Sequence, residues 1–504
     1  MSTKVITVNI ISNFLSRVWL GLVTLVSLPY IINQLGADAY GILSLSLLII
    51  GYFSLLDMGL TRGVVKFLAE YNAFDDKEKI RKLIGNSLVL YVCLGIIGAV
   101  ILGCCVKFFV NLALNIPFKL RDVSRVVFYL TSLGLLFRIP RALFVSIPRG
   151  YQKIHLLNIV NVIVNTTKIL VTVVLLYFGF FLIAVVIANV IVELMYLFSL
   201  IFLSKKLLPS GALHPVFDVD ITKKIFGFSL KAFVSDFMSI IIIHLDKLLI
   251  SLFLPIANLA YYTVSFQLSS RVWEIPGNIT SAIYPAFSDQ YAKRNFLRFN
   301  ELFVETSKLI MIGVGYTTAV IIFFSNHILG LWINKEFAQE GGVVLSILGV
   351  GVMVSSCAWV ALTAANGAGR PDLPAKTHII MAVTNLVLCV ILIPLYGLKG
   401  AAWAWLLQHL SDIFIMIPWV NKTITGISNR YYLWECCLKP AGLGLLVAGI
   451  IFLATEPYIT TLAILIVIVI GGAAVYYTLG YFIILSKKER DFAKWVLKGV
   501  FTKG

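Results

Sequence analysis

The side chains able to do chemistry in this sequence are ionisable groups set inside long apolar runs. Arg17, Asp57, Arg138, Arg141, Lys168, Glu193, Lys231, Asp236, Arg271, Glu274, His409 and Asp412 all stand among stretches dominated by Leu, Ile, Val and Phe. A charge held in a bilayer costs roughly 2.5–3.5 kcal/mol on insertion scales, so each must be paired, face water, or reach the surface along its stem. The last route explains Arg138, Arg141 and Lys308, which fall near span ends. Arg17 sits deeper, and Asn13, Gly21 and Thr24 share its helical face at three- and four-residue steps. That face is wet rather than lipid-facing.

Arg271 keeps similar company. Gln267 and Ser270 flank it, Glu274 one turn on can pair with it, and Pro276-Gly277 follows. A proline in a span frees a backbone carbonyl and invites a bend, which needs protein or water beside it. The chemistry these residues offer is anion binding. A guanidinium meets phosphate oxygens with a fork of donors and stays charged at any working pH. Arg17, Asn13, Arg271, Glu274 and Lys231 are therefore the candidate substrate contacts. Asp57, Glu193, Asp236 and Asp412 are candidate carriers of a coupling ion, and spacing singles out none of them. Asp246 and Lys247 are adjacent, point to different faces of a helix, and are expected to find different partners, with Asp246 a structural tie between helices.

Catalysis has no such footing. There is no P-loop, no Gly-rich nucleotide site, no GxSxG and no HExxH. The histidines are scattered, and the 7 cysteines show neither CxxC nor zinc spacing. The expectation is a protein that is not an enzyme and holds no cofactor and no metal.

The elements that position these groups follow from composition. The chain has 504 residues, 60% of them hydrophobic and only 13% charged, against about 25% charged in a soluble domain. Its mean hydropathy is +0.95. This is an all-α integral membrane protein with about 14 spans of some 20 residues each. The first apolar run is far too long for a signal peptide and contains Arg17. A net charge of +17 is a feature of nucleic-acid binders too, but the basic residues lie between spans and no basic stripe is interleaved with stacking aromatics, so no nucleic-acid partner is expected. With the N-terminus inside, about 27 Lys and Arg fall in inner segments against about 6 in outer ones. Both termini are then cytoplasmic. Thr61–Asn72 reads as an interfacial helix continuing the second span, and no outer loop is long enough to fold into a domain.

The stretch Gln34-Leu35-Gly36-Ala37-Asp38-Ala39-Tyr40-Gly41 makes a tight turn between two spans, and Leu56-Asp57-Met58-Gly59-Leu60 closes the second. A weaker copy follows: Asp246-Lys247-Leu248-Leu249-Ile250 closes one run and Asn258-Leu259-Ala260-Tyr261-Tyr262 opens the next. Tyr177-Phe178-Gly179 likewise returns as Leu395-Tyr396-Gly397. The offset of about 218 residues marks two units of six spans with the same orientation. The expected domains are residues 1–215 and 216–425, two pseudo-symmetric six-helix bundles, and 426–504, two additional spans with a cytoplasmic tail.

The LGADAYG…LDMGL hairpin, the LDKLLIS…NLAYYTV pair and the 6+6+2 layout resemble a polysaccharide transporter of the multidrug/oligosaccharidyl-lipid/polysaccharide (MOP) exporter superfamily, with the Wzx-type flippase of O-antigen repeat units as the nearest match. One departure is Leu254-Pro255, where that family has Leu-Gly in the second hairpin. The resemblance implies a flippase of the cytoplasmic membrane that moves a polyprenyl-pyrophosphate-linked oligosaccharide by alternating access. It implies a central cationic cavity between the halves, with Arg17 and Arg271 at the matching positions, and a lipid-tail groove at spans 13 and 14. The implied partners are the lipid-linked substrate, membrane lipids, and a polysaccharide polymerase or other glycan-assembly proteins. The alternatives are a multidrug/cation antiporter of the same superfamily, which would need an acid-lined cavity, and a membrane glycan polymerase or ligase, which would need a large outer loop.

Overall fold

The computed structural model describes residues 3–487, 489 and 490; within them the side chains at 3–7, 10, 11, 112, 113, 230–232, 234–236, 238, 239 and 242 lie outside the description. Among the described residues the chain is helical, without a strand. A helix satisfies its own backbone polar groups, which a bilayer cannot do for it. The helices are α1 (Thr3–Phe53), α2 (Leu60–Ala73), α3 (Lys77–Phe108), α4 (Arg121–Gly150), α5 (Ile154–Tyr177), α6 (Leu182–Lys205), α7 (Val219–Phe253), α8 (Ile256–Ser270) and α9 (Glu274–Ala292). They continue as α10 (Phe296–Trp332), α11 (Lys335–Ser356), α12 (Trp359–Gly367), α13 (Asp372–Gln408), the short α14 (Ile417–Val420) and α15 (Asn429–Tyr431), α16 (Lys439–Thr455) and α17 (Leu462–Ile483).

Among the described residues ten stretches are long and apolar enough to cross a membrane, and two of them, Ser12–Asp57 and Asp372–Thr425, run to 46 and 54 residues. One crossing needs only about 20. Each is divided at a glycine outside helical geometry, Gly36 (φ 77, ψ 166) and Gly397 (φ 59, ψ −137). After Gly397 the chain doubles back, since the Thr377 hydroxyl meets Met416 Sδ at 3.6 Å. With these divisions, and with α7 and the α8–α9 segment, the helices account for the about 14 spans read from the sequence.

Gly36 occupies a backbone region that is essentially closed to other residues. A Cβ there would meet nothing within 4 Å, so the requirement is conformational and not one of space. Gly36→Ala is expected to cost about 1–3 kcal/mol, read as a lower melting temperature of the solubilised protein; an unchanged melt would contradict it. At the matching place in the second half the chain uses Leu254-Pro255 between α7 and α8. Proline lacks the N–H that would continue a helix and pushes its predecessor out of helical geometry, so that turn is made by a full break.

Positive-φ positions recur along the backbone at the offset read from the sequence. Asp75 (φ 51), Gln152 (φ 60) and Gly179 (φ 79) are left-handed, and Arg294 (φ 55), Gly369 (φ 73) and Gly397 (φ 59) repeat them in order, each about 218 residues on. The caps recur too. Asp76 accepts from the Lys79 amide at 3.0 Å to start α3, and Asn295 accepts from the Arg298 amide at 3.2 Å to start α10. Hydrogen bonds from the Lys79 side chain and amide hold the Asp76 carboxyl below the ordinary carboxylate range.

By internal contacts the chain forms two compact units, Met1–Ile241 with Pro255–Ala257, and Ile242–Leu254 with Asn258–Gly504. In the N-terminal unit Val64, Phe67 and Leu68 of α2 are buried with Leu83 and Tyr91 of α3 and Ile139 and Leu143 of α4. The helix expected at the membrane interface over Thr61–Asn72 therefore exists, but its apolar face is buried in protein. In the C-terminal unit α16 and α17 dock on α10: Tyr316 stacks on Tyr476 at 5.4 Å and donates to the Val469 carbonyl at 2.9 Å. Their other faces leave Leu446, Leu453, Val467 and Ile470 exposed, as a lipid-facing surface requires.

Candidate functional site

The N-terminal unit holds an open cavity of about 390 Å³ whose wall is built by α1, α4, α5 and α6. From α1 come Asn13, Ser16 and Arg17; from α4, Arg138 and Arg141. From α5 come Asn158, Asn161, Asn165 and Lys168, spaced by three and four residues so that one helical face carries them all. From α6 come Glu193 and Tyr196.

The wall is braced by its own polar groups. The Asn158 amide donates to Asn13 Oδ1 at 2.7 Å and to Ser12 Oγ at 3.0 Å, and Trp19 Nε1 donates to Thr166 Oγ1 at 2.9 Å, joining α1 to α5. Arg141 Nη1 lies 3.1 Å from Glu193 Oε1, with the guanidinium 4.4 Å above the Tyr196 ring. Arg141 Nε is buried without an acceptor. The ion pair thus engages one nitrogen of the fork and leaves donors for something else. Arg17, Arg138 and Lys168 have no carboxylate partner among the described residues. Four cations against one carboxylate, within helices that span a membrane, is an imbalance that a bound anion would correct. Arg138 and Arg141 are therefore not snorkelling to the surface, as their place near a span end led one to expect.

The same two arginines border a second cavity of about 440 Å³ in this unit, with Asp57, Arg149, Ile50 and Val145 on its wall. Asp57 is held there: it accepts from the Tyr91 hydroxyl at 2.5 Å and from the Thr61 amide at 3.2 Å. These bonds make it an anchor between the start of α2 and α3.

Of the residues singled out in the sequence, the structure brings Asn13, Arg17, Arg138, Arg141, Lys168 and Glu193 to one cavity. Arg271 and Glu274 belong to the C-terminal unit, where Arg271 Nη1 pairs with Glu274 Oε1 at 2.9 Å. Their side chains are 55% and 44% exposed, and groups this open face water, since hydrocarbon would exact the full insertion penalty. Such a pair is worth about 0–1 kcal/mol. Glu274→Gln is accordingly expected to leave the melting temperature nearly unchanged, and a large loss of stability would contradict the exposed geometry. Asp412 is buried and paired with His409. The side chains of Lys231 and Asp236 lie outside the described residues.

Asp246 ties two helices as expected, but Lys247 does not find a separate partner. Lys247 Nζ curls back to the Ile243 carbonyl at 2.6 Å and to Asp246 Oδ1 at 3.5 Å, and lies 3.6 Å from the centre of the Phe266 ring. A four-carbon stem is long enough to return past its own backbone, so adjacency did not keep the two apart. Asp246 also accepts from the Tyr262 hydroxyl, which ties α7 to α8.

Sequence reasoning missed the asparagine face of α5. The signal was present as polar residues at helical spacing within an apolar span, but asparagine carries no charge and was passed over.

The family model described as polysaccharide biosynthesis protein matches residues 6–290, and the MatE model matches residues 231–391. A putative O-antigen transporter of Shigella flexneri is 22% identical over 416 residues, covering 81% of this chain and 95% of that protein. The fold is similar to that of the lipid II flippase MurJ in an inward closed conformation, with TM-score 0.71, 17% identity, and coverage of 94% of this chain and 98% of that one. It is also similar to an inward-facing multidrug resistance MATE family transporter of the MOP superfamily, with TM-score 0.69, 14% identity, and coverage of 81% and 95%.

Proposed function

The chain belongs to the polysaccharide biosynthesis protein family, and from that premise we propose that it is a flippase that exports a lipid-linked oligosaccharide repeat unit across the cytoplasmic membrane by alternating access. The observation that carries this reading is the cavity of the N-terminal unit, with Arg17, Arg138, Arg141 and Lys168 set against Glu193 alone. A polyprenyl pyrophosphate offers the multivalent anion that such a wall binds, and the asparagines of α5 offer both donors and acceptors to sugar hydroxyls. Arg271, with Glu274 to hold it when no substrate is bound, is proposed as a further contact, and Lys231 as another. The two six-span repeats, residues 1–215 and 216–425, are the proposed moving parts. Both termini are assigned to the cytoplasm from the charge count. A polymerase and other glycan-assembly proteins are the proposed partners.

The family speaks for transport rather than catalysis. The multidrug reading has the support of the similar MATE fold, but a cavity of excess positive charge repels a cationic drug. The test is made in cells lacking their own repeat-unit flippase. The account expects this protein to restore surface glycan and to confer no efflux of ethidium; efflux without surface glycan would establish the drug reading in its place.

Orientation is tested separately. An introduced cysteine near Lys119 is expected to react with an impermeant thiol reagent on intact cells, and one near Lys79 is expected to stay unlabelled. The reverse pattern would overturn the topology.

A further inference from the structure

In the C-terminal unit α13 loses its regular turn at His409, and the chain resumes as a wider π-helical turn over Asp412–Met416. Insertions of this kind re-aim side chains and are frequent at functional sites. Here His409 Nδ1 comes to 2.9 Å from Asp412 Oδ2. His409 is 6% exposed and Asp412 8%. The imidazole is walled by the Trp405 ring, 4.6 Å away, and by Trp273 at 6.2 Å, which is itself anchored through Nε1 to Ser355 Oγ at 2.9 Å. The second ring nitrogen, Nε2, is buried without a partner, and the adjacent Gln408 is fully buried with both amide atoms unpartnered. The carboxylate–imidazole pair thus keeps an unmet ring nitrogen inside a membrane domain.

The charge around this pair does not balance. On its own helix the pair consists of Asp412 and His409, and from the first half of α13 it faces His378. From the turn over Arg271–Trp273 it meets the uncharged Trp273 ring. No lysine or arginine pairs with Asp412 among the described residues. With a neutral ring, the pair holds one negative charge in a low-dielectric interior. A single proton on Nε2 would turn it into an imidazolium–carboxylate pair of net zero charge, with the bond through Nδ1 unchanged.

We propose that His409 and Asp412 form an intramembrane proton-binding site of the C-terminal unit, and that the proton it takes up drives export. The proton adds to the Nε2 lone pair from water on one side of the membrane and leaves the same atom on the other; Asp412 keeps the ring oriented and stabilises its cationic form. The two loading states differ by a whole charge at one buried locus, enough to bias a conformational equilibrium. The driving role rests on the export reading; the proton site does not.

The flanking indoles provide the readout, because an imidazolium quenches a neighbouring tryptophan more than a neutral imidazole does. The purified full-length protein in nanodiscs is titrated from about pH 9 to about pH 5 while tryptophan emission is followed. The wild type is expected to show a reversible quench that fits one proton. His409→Gln and Trp405→Phe should lose it, and His378→Gln should keep it. An undiminished quench in His409→Gln would overturn the site, and a midpoint that moves with sodium concentration would replace the proton with a metal cation. In cells lacking their own flippase, His409→Gln at normal abundance should lower glycan export at least about tenfold, a loss equivalent to about 1.4 kcal/mol. Export at the wild-type level would overturn the driving role even with the quench in place. If the wild type exports no glycan while the quench stands, the export reading fails and the proton site survives.

Discussion

Arg17→Ala is expected to abolish glycan export while the protein accumulates and melts like the wild type. Arg17 stands on the cavity wall without a carboxylate partner among the described residues, so its removal strands no opposite charge. What is lost is a fork of charge-assisted hydrogen bonds to the substrate anion, each worth about 1.5–3 kcal/mol, so export should fall at least tenfold and to background if two bonds are made. Arg17→Lys should restore part of it, since a lysine supplies the charge without the planar fork. Arg141→Ala provides the contrast. It would leave Glu193, only 14% exposed, without its ion pair, and should lower both stability and export. Adding Glu193→Gln should recover stability and leave export low. Membrane abundance, melting temperature and surface glycan are measured together for each variant. Wild-type export by Arg17→Ala would remove the cavity from the substrate path.

Asp246→Ala is expected to give the largest loss of stability, about 3–5 kcal/mol. Asp246 is fully buried and Lys247 is 7% exposed. Removing the carboxylate leaves the ammonium with the Ile243 carbonyl and the face of Phe266, and strips the Tyr262 hydroxyl of its acceptor. Replacing both residues, as Asp246→Asn with Lys247→Met, should recover much of the loss because no unpaired charge then stays inside. The check is the melting temperature of the solubilised protein across the four members of this cycle, Asp246→Asn and Lys247→Met singly included. A double variant no better than Asp246→Asn would show that a stranded ammonium is not the source of the loss.

The spans were legible because a bilayer imposes a length and an apolar composition that a sequence displays directly. The matching turns were legible where they rest on glycine: Gly179 and Gly397 announce themselves, whereas Asp75 and Arg294 share a left-handed backbone that neither residue type advertises. Arg17 was legible from its polar neighbours on one helix. Arg138 and Arg141 were not, because what makes them cavity residues is the approach of α5 and α6, a tertiary fact. His409 and Asp412 lie three residues apart, a spacing that on a regular helix would place them together. The departure from regular geometry over 409–416 was beyond reading, since nothing in Asp412-Ile413-Phe414-Ile415-Met416 marks a π-turn. Lys247 was misjudged through the assumption that adjacent residues cannot meet, which holds for short side chains and fails for lysine.

In the proposed function an excess of cations within the N-terminal unit binds the anionic head of a lipid-linked substrate. Isothermal titration of the purified full-length protein with farnesyl pyrophosphate, farnesol and tetraphenylphosphonium tests it without knowledge of the sugar. The account predicts that farnesyl pyrophosphate binds and farnesol binds weakly. Arg17→Ala combined with Arg138→Ala should lower the affinity for the pyrophosphate at least about tenfold, a change of about 1.4 kcal/mol, and tetraphenylphosphonium should not compete. Binding of tetraphenylphosphonium that is strengthened by the same two substitutions, with no binding of farnesyl pyrophosphate to the wild type, would contradict it.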